Sequence, residues 1–192
     1  MLRLNNRVFA TTLMLSGVIY YLSFCINAYF FSYFQVDSHV SIIFLPAGVR
    51  LLAVLIGGFP AALGVMSASL AIELGFRADL WHPSASLSLR ALLVAAASGV
   101  APWLIIKGFE TAGYLHVGLR GLTARRLTSL TFLVALGTSA AHQILFFFFS
   151  HPASVGLWVQ MLVGDILGAF VCLWLARELV TRLAFFKPTG QV

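Results

Sequence analysis

The stretch FLPAGVRLLAVLIGGFPAALG, Phe44 to Gly64, decides how this chain is to be read. Pro46 has no amide proton and disfavours helix at Leu45, so the segment is expected to unwind near Pro46 and restart at about Ala47. From Leu51 to Ile56 every residue is apolar. Gly57, Gly58 and Pro60 then spell a tight turn, and a second apolar run comes after it. The one charge in the stretch is Arg50. Two apolar runs joined by a glycine–proline turn read as a short helical hairpin inside a membrane.

The rest of the chain repeats that character. Of its 192 residues 60% are hydrophobic and 9% charged, and the mean hydropathy is +0.97. Soluble domains are about 25% charged, so this composition excludes a soluble globular domain, a disordered chain and a domain that binds nucleic acid through a basic surface. The apolar segments are continuous rather than alternating, which argues against a β-barrel. The expected fold is all-α: a polytopic membrane bundle of about six helices, one of them broken at Pro46. The spans fall at about 8–34, 40–57, 60–76, 85–106, 127–149 and 155–185, in a single integral membrane domain. The apolar run after Arg3 and Arg7 is too long for a signal peptide and reads as a retained first helix.

Nine of the twelve lysines and arginines gather at one side of this arrangement: Arg3, Arg7, Lys107, Arg120, Arg125, Arg126, Arg177, Arg182 and Lys187. Basic residues collect on the cytoplasmic face, so both termini are expected there. The same rule accounts for the net charge of +6. Cys25 and Cys172 lie in apolar runs without a CxxC spacing and read as buried thiols. Small residues four apart, Gly64 and Ala68, Gly137 and Ala141, Gly164 and Gly168, mark faces where helices approach closely, as does the run Ala95 to Gly99.

The residues that carry chemistry are the ionisable ones inside the apolar runs: Arg50, Glu73, Arg90, His142 and Asp165. A charge at the centre of a membrane helix costs at least ~2.5–3.5 kcal/mol, so each should face the interior and find a partner. All five are expected in the outer half of the bundle, with Arg50, Glu73 and Asp165 sharing a pocket. Two readings stand. One is an outward-facing polar cavity for a small solute or ion, with Arg50 and the restarted helix at Pro46 and Gly48 forming an anion or carboxylate site. The other is a set of structural ion pairs that fix helix register. His39, His82 and His151 lie in expected outer loops; with His142 they raise a metal site or a haem as outside alternatives, and no ligand spacing supports either. His142 beside a carboxylate also raises proton sensing. No nucleophile–base set and no metal motif points to an enzyme, and no cofactor is expected.

Two motifs resemble a known family. Phe44 to Gly64, with its Pro-Ala-Gly segment opening a helix, an apolar run and a glycine-rich turn, looks like the signature of the bacterial membrane-associated sensor (MASE-type) domains. GDILGAF, Gly164 to Phe170, is similar to that family's Gly-Asp-x-x-Gly element. The resemblance implies a module of the bacterial inner membrane, with Pro46, Gly48, Arg50, Gly164 and Asp165 at its signature positions. The family has more spans than the six read here and is usually fused to a signalling output domain, so a partner protein is implied. The function expected is a sensor-like module that binds a small solute or ion and signals through that partner. A component of a small-solute or ion transporter, and a structural subunit of a membrane complex, are the alternatives.

Overall fold

The computed structural model describes residues 5–30, 35–37, 40–75, 89–114, 122–149 and 154–185. Its helices are α1 (Asn6–Phe30), α2 (Leu45–Glu73), α3 (Leu89–Thr111), α4 (Ala124–Phe148) and α5 (Val155–Phe185). A short antiparallel ribbon, β1 (Gln35–Asp37) with β2 (Val40–Ser41), leads into α2. All five helices are long and apolar enough to cross a membrane, and the chain is an all-α, multi-pass membrane protein.

The second expected span is where the structure differs. Among the described residues five helices stand in place of six, because the second and third expected spans lie in one element, α2. Nor is α2 broken at Pro46. It begins at Leu45, so Pro46 sits in the first turn, where the missing N–H costs no helical bond. The interruption is at Gly58, with φ 63° and ψ −142°, a conformation open in practice only to glycine. Pro60 then falls in the first turn of the helical arm beyond Gly58, again a position proline tolerates.

Packing partners show how the interruption redirects the chain. Leu45 N–H bonds to Asn27 near the end of α1, while Gly57 lies against Thr12 near its start. Past the turn, the Ala61 carbonyl accepts from Ser16 at 3.3 Å and Gly64 backs onto Gly17. Tyr20 shares an apolar cluster with Val65 and Ala68 from beyond the turn, and Val49 and Ala53 from before it pack against that cluster. The chain therefore reverses at Gly58. Residues 45–57 run antiparallel to α1 and residues 59–73 run parallel to it. At 1.5 Å per residue these arms are about 20 and 22 Å long.

The remaining helices wind around this hairpin. α3 runs antiparallel to the second arm, with Trp103 beside Phe59, Gly99 against Ala62 and Ser98 against Ser69. α4 runs antiparallel to α3, with Gly137 against Ile105. α5 runs antiparallel to α4, its Phe170 against Phe132, and lies along the first arm, its Cys172 against Gly48. α2 is thus the central element, touching α1, α3, α4 and α5. Small residues stand at the close approaches, as their spacing implied. A Cβ at Gly64 would strike the Leu13 carbonyl, and one at Gly168 would strike the Phe44 carbonyl. Met14, Val18 and Leu22 on α1, and Trp174, Leu179 and Val180 on α5, face outward as lipid-facing apolar surface.

Candidate functional site

The two motifs singled out in the sequence meet. The start of α2 lies in the groove left by the glycines of α5: Phe44 N–H donates to the Gly164 carbonyl at 3.1 Å, and Gly48 packs on Gly168 and Cys172. That contact sets the rotation of both helices. It brings Arg50 to Asp165, with Arg50 Nη2 2.9 Å from Asp165 Oδ2 and both side chains 3% exposed. Thr138 of α4 completes the cluster. Its Oγ1 accepts from Arg50 Nη2 at 3.2 Å and stands 3.1 Å from Asp165 Oδ2. The one hydroxyl proton of Thr138 has three acceptors to choose between, Asp165, the Val134 carbonyl at 2.8 Å and the Ala135 carbonyl at 3.3 Å.

One helical turn along α4 from Thr138 stands His142, also buried. Its Nδ1 is 2.8 Å from the Thr138 carbonyl and its Nε2 is 3.2 Å from Ser98 Oγ. Ser98 in turn accepts from Ser69 at 3.1 Å and has the Val94 carbonyl at 3.1 Å as an alternative acceptor. The buried Tyr20 of α1 adds a hydroxyl to this cluster. The result is a continuous polar seam through the bundle, built from all five helices. Charge inside it is balanced, as it must be where water does not screen it.

Contrary to the shared pocket that the sequence implies, Glu73 stands apart from Arg50 and Asp165. It stands one turn beyond Ser69 and pairs with Arg90, at 3.4 Å, in a more open position where the side chains are 14% and 26% exposed. In place of one pocket of Arg50, Glu73 and Asp165 there are two ion pairs at two stations, with Ser69, Ser98 and His142 lying between them. The reason lies in the hairpin. Arg50 and Glu73 belong to opposite arms of α2, and each arm faces a different neighbour.

The open helix start expected at Pro46 is also absent. Leu45 N–H is held by Asn27 Oδ1 at 2.9 Å, Pro46 has no N–H, and Ala47 N–H bonds to the Phe44 carbonyl. The first turn of α2 is capped by α1 and offers no free cradle for an anion. Pro46 and Gly48 act through packing, both buried against neighbours. Cys172 is partly rather than fully buried, its thiol donating to the Leu45 carbonyl at 3.3 Å, and Cys25 is likewise partly buried. His39, His82 and His151 lie outside the described residues. Among the described residues no three His, Cys, Asp or Glu side chains gather as a metal would need.

Comparison with protein-family models, with curated proteins and with solved structures returned no match. The site thus rests on its own geometry. Four of its members were not singled out from the sequence: Tyr20, Ser69, Ser98 and Thr138. A signal for one of them was present. Thr131, Thr138 and His142 are spaced seven and four apart, a polar stripe on one face of an apolar helix.

Proposed function

We propose that this chain is a sensor-type module of a bacterial inner membrane, with both termini cytoplasmic. It recognises a small acceptor-bearing solute or ion at the Arg50–Asp165 cluster and passes its state to a partner protein in the membrane. The observation that carries this reading is the incomplete bonding of Arg50. A guanidinium offers five N–H donors in a fixed fork. Here Nη2 serves both Asp165 and Thr138, while Nε is buried without an acceptor. A buried donor left without a partner costs about 1–3 kcal/mol, and a solute carrying a carboxylate or similar acceptor would recover it.

The convergence of the Pro-Ala-Gly and Gly-Asp-x-x-Gly motifs supports the same reading. In the MASE-type domains they resemble, these elements belong to a sensory module. Here they form one contact, with its ion pair at the centre. A solute that drew Arg50 away from Asp165 would loosen the contact between α2 and α5. Because α5 runs on toward the chain's C-terminal end, that motion is a route by which occupancy reaches a partner.

The test uses the full chain purified into nanodiscs. Thermal unfolding is followed with acetate, succinate, inorganic phosphate and chloride, in the parent and in Arg50→Met. A probe at one hundred times its dissociation constant should stabilise the parent by about 2.7 kcal/mol and leave Arg50→Met unmoved. If none of the four shifts the parent, and the double replacement Arg50→Met with Asp165→Leu keeps the fold and the partner that co-purifies in mild detergent, the pair is a structural clasp and the sensor reading fails.

A further inference from the structure

We propose that His142 is a proton-binding site, loaded through Ser69 and Ser98 from the Glu73–Arg90 end of the bundle, and that its proton regulates the Arg50–Asp165 contact. This deepens the function proposed above, since it assigns a regulator to the same cluster.

The argument begins with the two ring nitrogens. Nδ1 faces the Thr138 carbonyl, which can only accept, so Nδ1 carries a proton. Nε2 faces a hydroxyl, which can give or take. With the ring neutral, Ser98 donates to Nε2. With the ring protonated, Nε2–H donates to Ser98, and the Ser98 proton turns to the Val94 carbonyl at 3.1 Å. Ser69 donates to Ser98 in both states. One hydroxyl rotation therefore accommodates both charge states without moving a helix backbone. A buried histidine in an apolar pocket has no such arrangement.

The same bonds give the path a direction. Hydroxyls at Ser69 and Ser98 can accept one proton and release another, and Glu73 stands one turn past Ser69 toward the more open end. Beyond His142 the seam continues through the backbone carbonyl of Thr138, which accepts a hydrogen bond but passes no proton on. His142 is thus the end of the line: a site where a proton is stored, not a station in a conduit.

The charges around it decide the consequence. Arg50 and Glu73 act on His142 from the two arms of α2, Ser98 from α3 with Arg90 behind Glu73, and Asp165 from α5, with Tyr20 of α1 in the same cluster. Phe146 packs on its ring from its own helix. Arg50 is matched by Asp165 and Glu73 by Arg90, so the added proton is an unmatched positive charge. It competes with Arg50 for Asp165. Thr138 lies between the two, and its hydroxyl has the Val134 carbonyl to turn to. Weakening Arg50–Asp165 loosens α2 from α5 beside Gly48, where the Cys172 thiol is held by the Leu45 carbonyl.

The experiment uses the full chain in nanodiscs, with the other four histidines replaced by Gln, Cys25 by Ser, and the remaining imidazole labelled with nitrogen-15. The ring should titrate in a single step within the pH range over which the chain stays folded, with the proton on Nδ1 in the neutral form. Maleimide labelling of Cys172 should rise on the acid side of that step by about threefold relative to His142→Gln at the same pH. Taking the ratio removes the thiol's own titration. Should His142→Gln fail to fold, Ser98→Ala serves instead and should move the midpoint of the ring titration by about half a unit or more, having removed the hydroxyl at Nε2. A ring that stays neutral throughout overturns the proposal, as does a labelling ratio flat across the step or a midpoint indifferent to Ser98→Ala. Anion binding at Arg50 is measured separately, so failure here leaves that reading standing and the converse also holds.

Discussion

Arg50 and Asp165 show how a buried pair is best interrogated. Removing one partner leaves a naked charge in an apolar bundle, and removing both does not. Asp165→Asn should therefore destabilise the protein by about 3–5 kcal/mol, while Arg50→Met combined with Asp165→Leu should recover most of that loss. Unfolding of the single and double variants in nanodiscs measures it, and strict additivity would show that the two side chains do not interact. Asn27 is a simpler case. It caps α2 from another helix, and Asn27→Ala should cost about 0.5–2 kcal/mol by the same measurement. Arg50 could be read from the sequence as a charge needing a partner. That the partner is Asp165 and not Glu73 could not, because spacing along the chain says nothing about which arm of a hairpin faces which neighbour.

Three glycines separate three physical roles within the helices. At Gly58 no atom lies within 4 Å of an added Cβ, so Gly58→Ala meets only the strain of a positive φ, about 1–3 kcal/mol. At Gly64 the backbone is ordinary helix, but the Cβ would meet the Leu13 carbonyl and Ser16 Oγ. Gly64→Ala should cost a similar ~1–3 kcal/mol through overpacking of α1 against α2. Gly108, inside α3 with open space around it, should gain about 0.5–1 kcal/mol on replacement by Ala. Unfolding of the three variants in one series checks the order, and a destabilised Gly108→Ala would contradict it. The turn at Gly57 to Pro60 was legible because turn chemistry is local. The break expected at Pro46 was misplaced because proline in a first turn and proline in a helix interior look alike until the helix start is known.

The whole molecule makes a prediction about sidedness. The reversal at Gly58 places the start of α1, the end of α3 and the start of α4 at one end of the bundle, and the end of α1, the starts of α2 and α3 and the end of α4 at the other. Single cysteines introduced at Asn6, Glu110 and Ala124, in a chain lacking its own two, should react with an impermeant maleimide from one side of sealed vesicles. Cysteines at Leu89 and Val155 should react from the other. Leu89 labelled from the same side as Asn6 would disprove the hairpin. The proposed orientation adds that the first group faces the cytoplasm.

Solvent, helix content and the approximate position of each apolar run come from the residues alone, since hydropathy and turn chemistry act over a few neighbours and need no partner. The histidine, the arginines and the carboxylates were likewise visible as charges out of place in an apolar chain. Which of them meet was decided by tertiary structure. A helix can rotate about its axis with little effect on its own bonds, and only close packing stops it. Gly48 against Cys172 and Gly168 against Phe44 are properties of two elements together. That contact turns Arg50 toward Asp165, and the fold-back at Gly58 carries Glu73 away to Arg90.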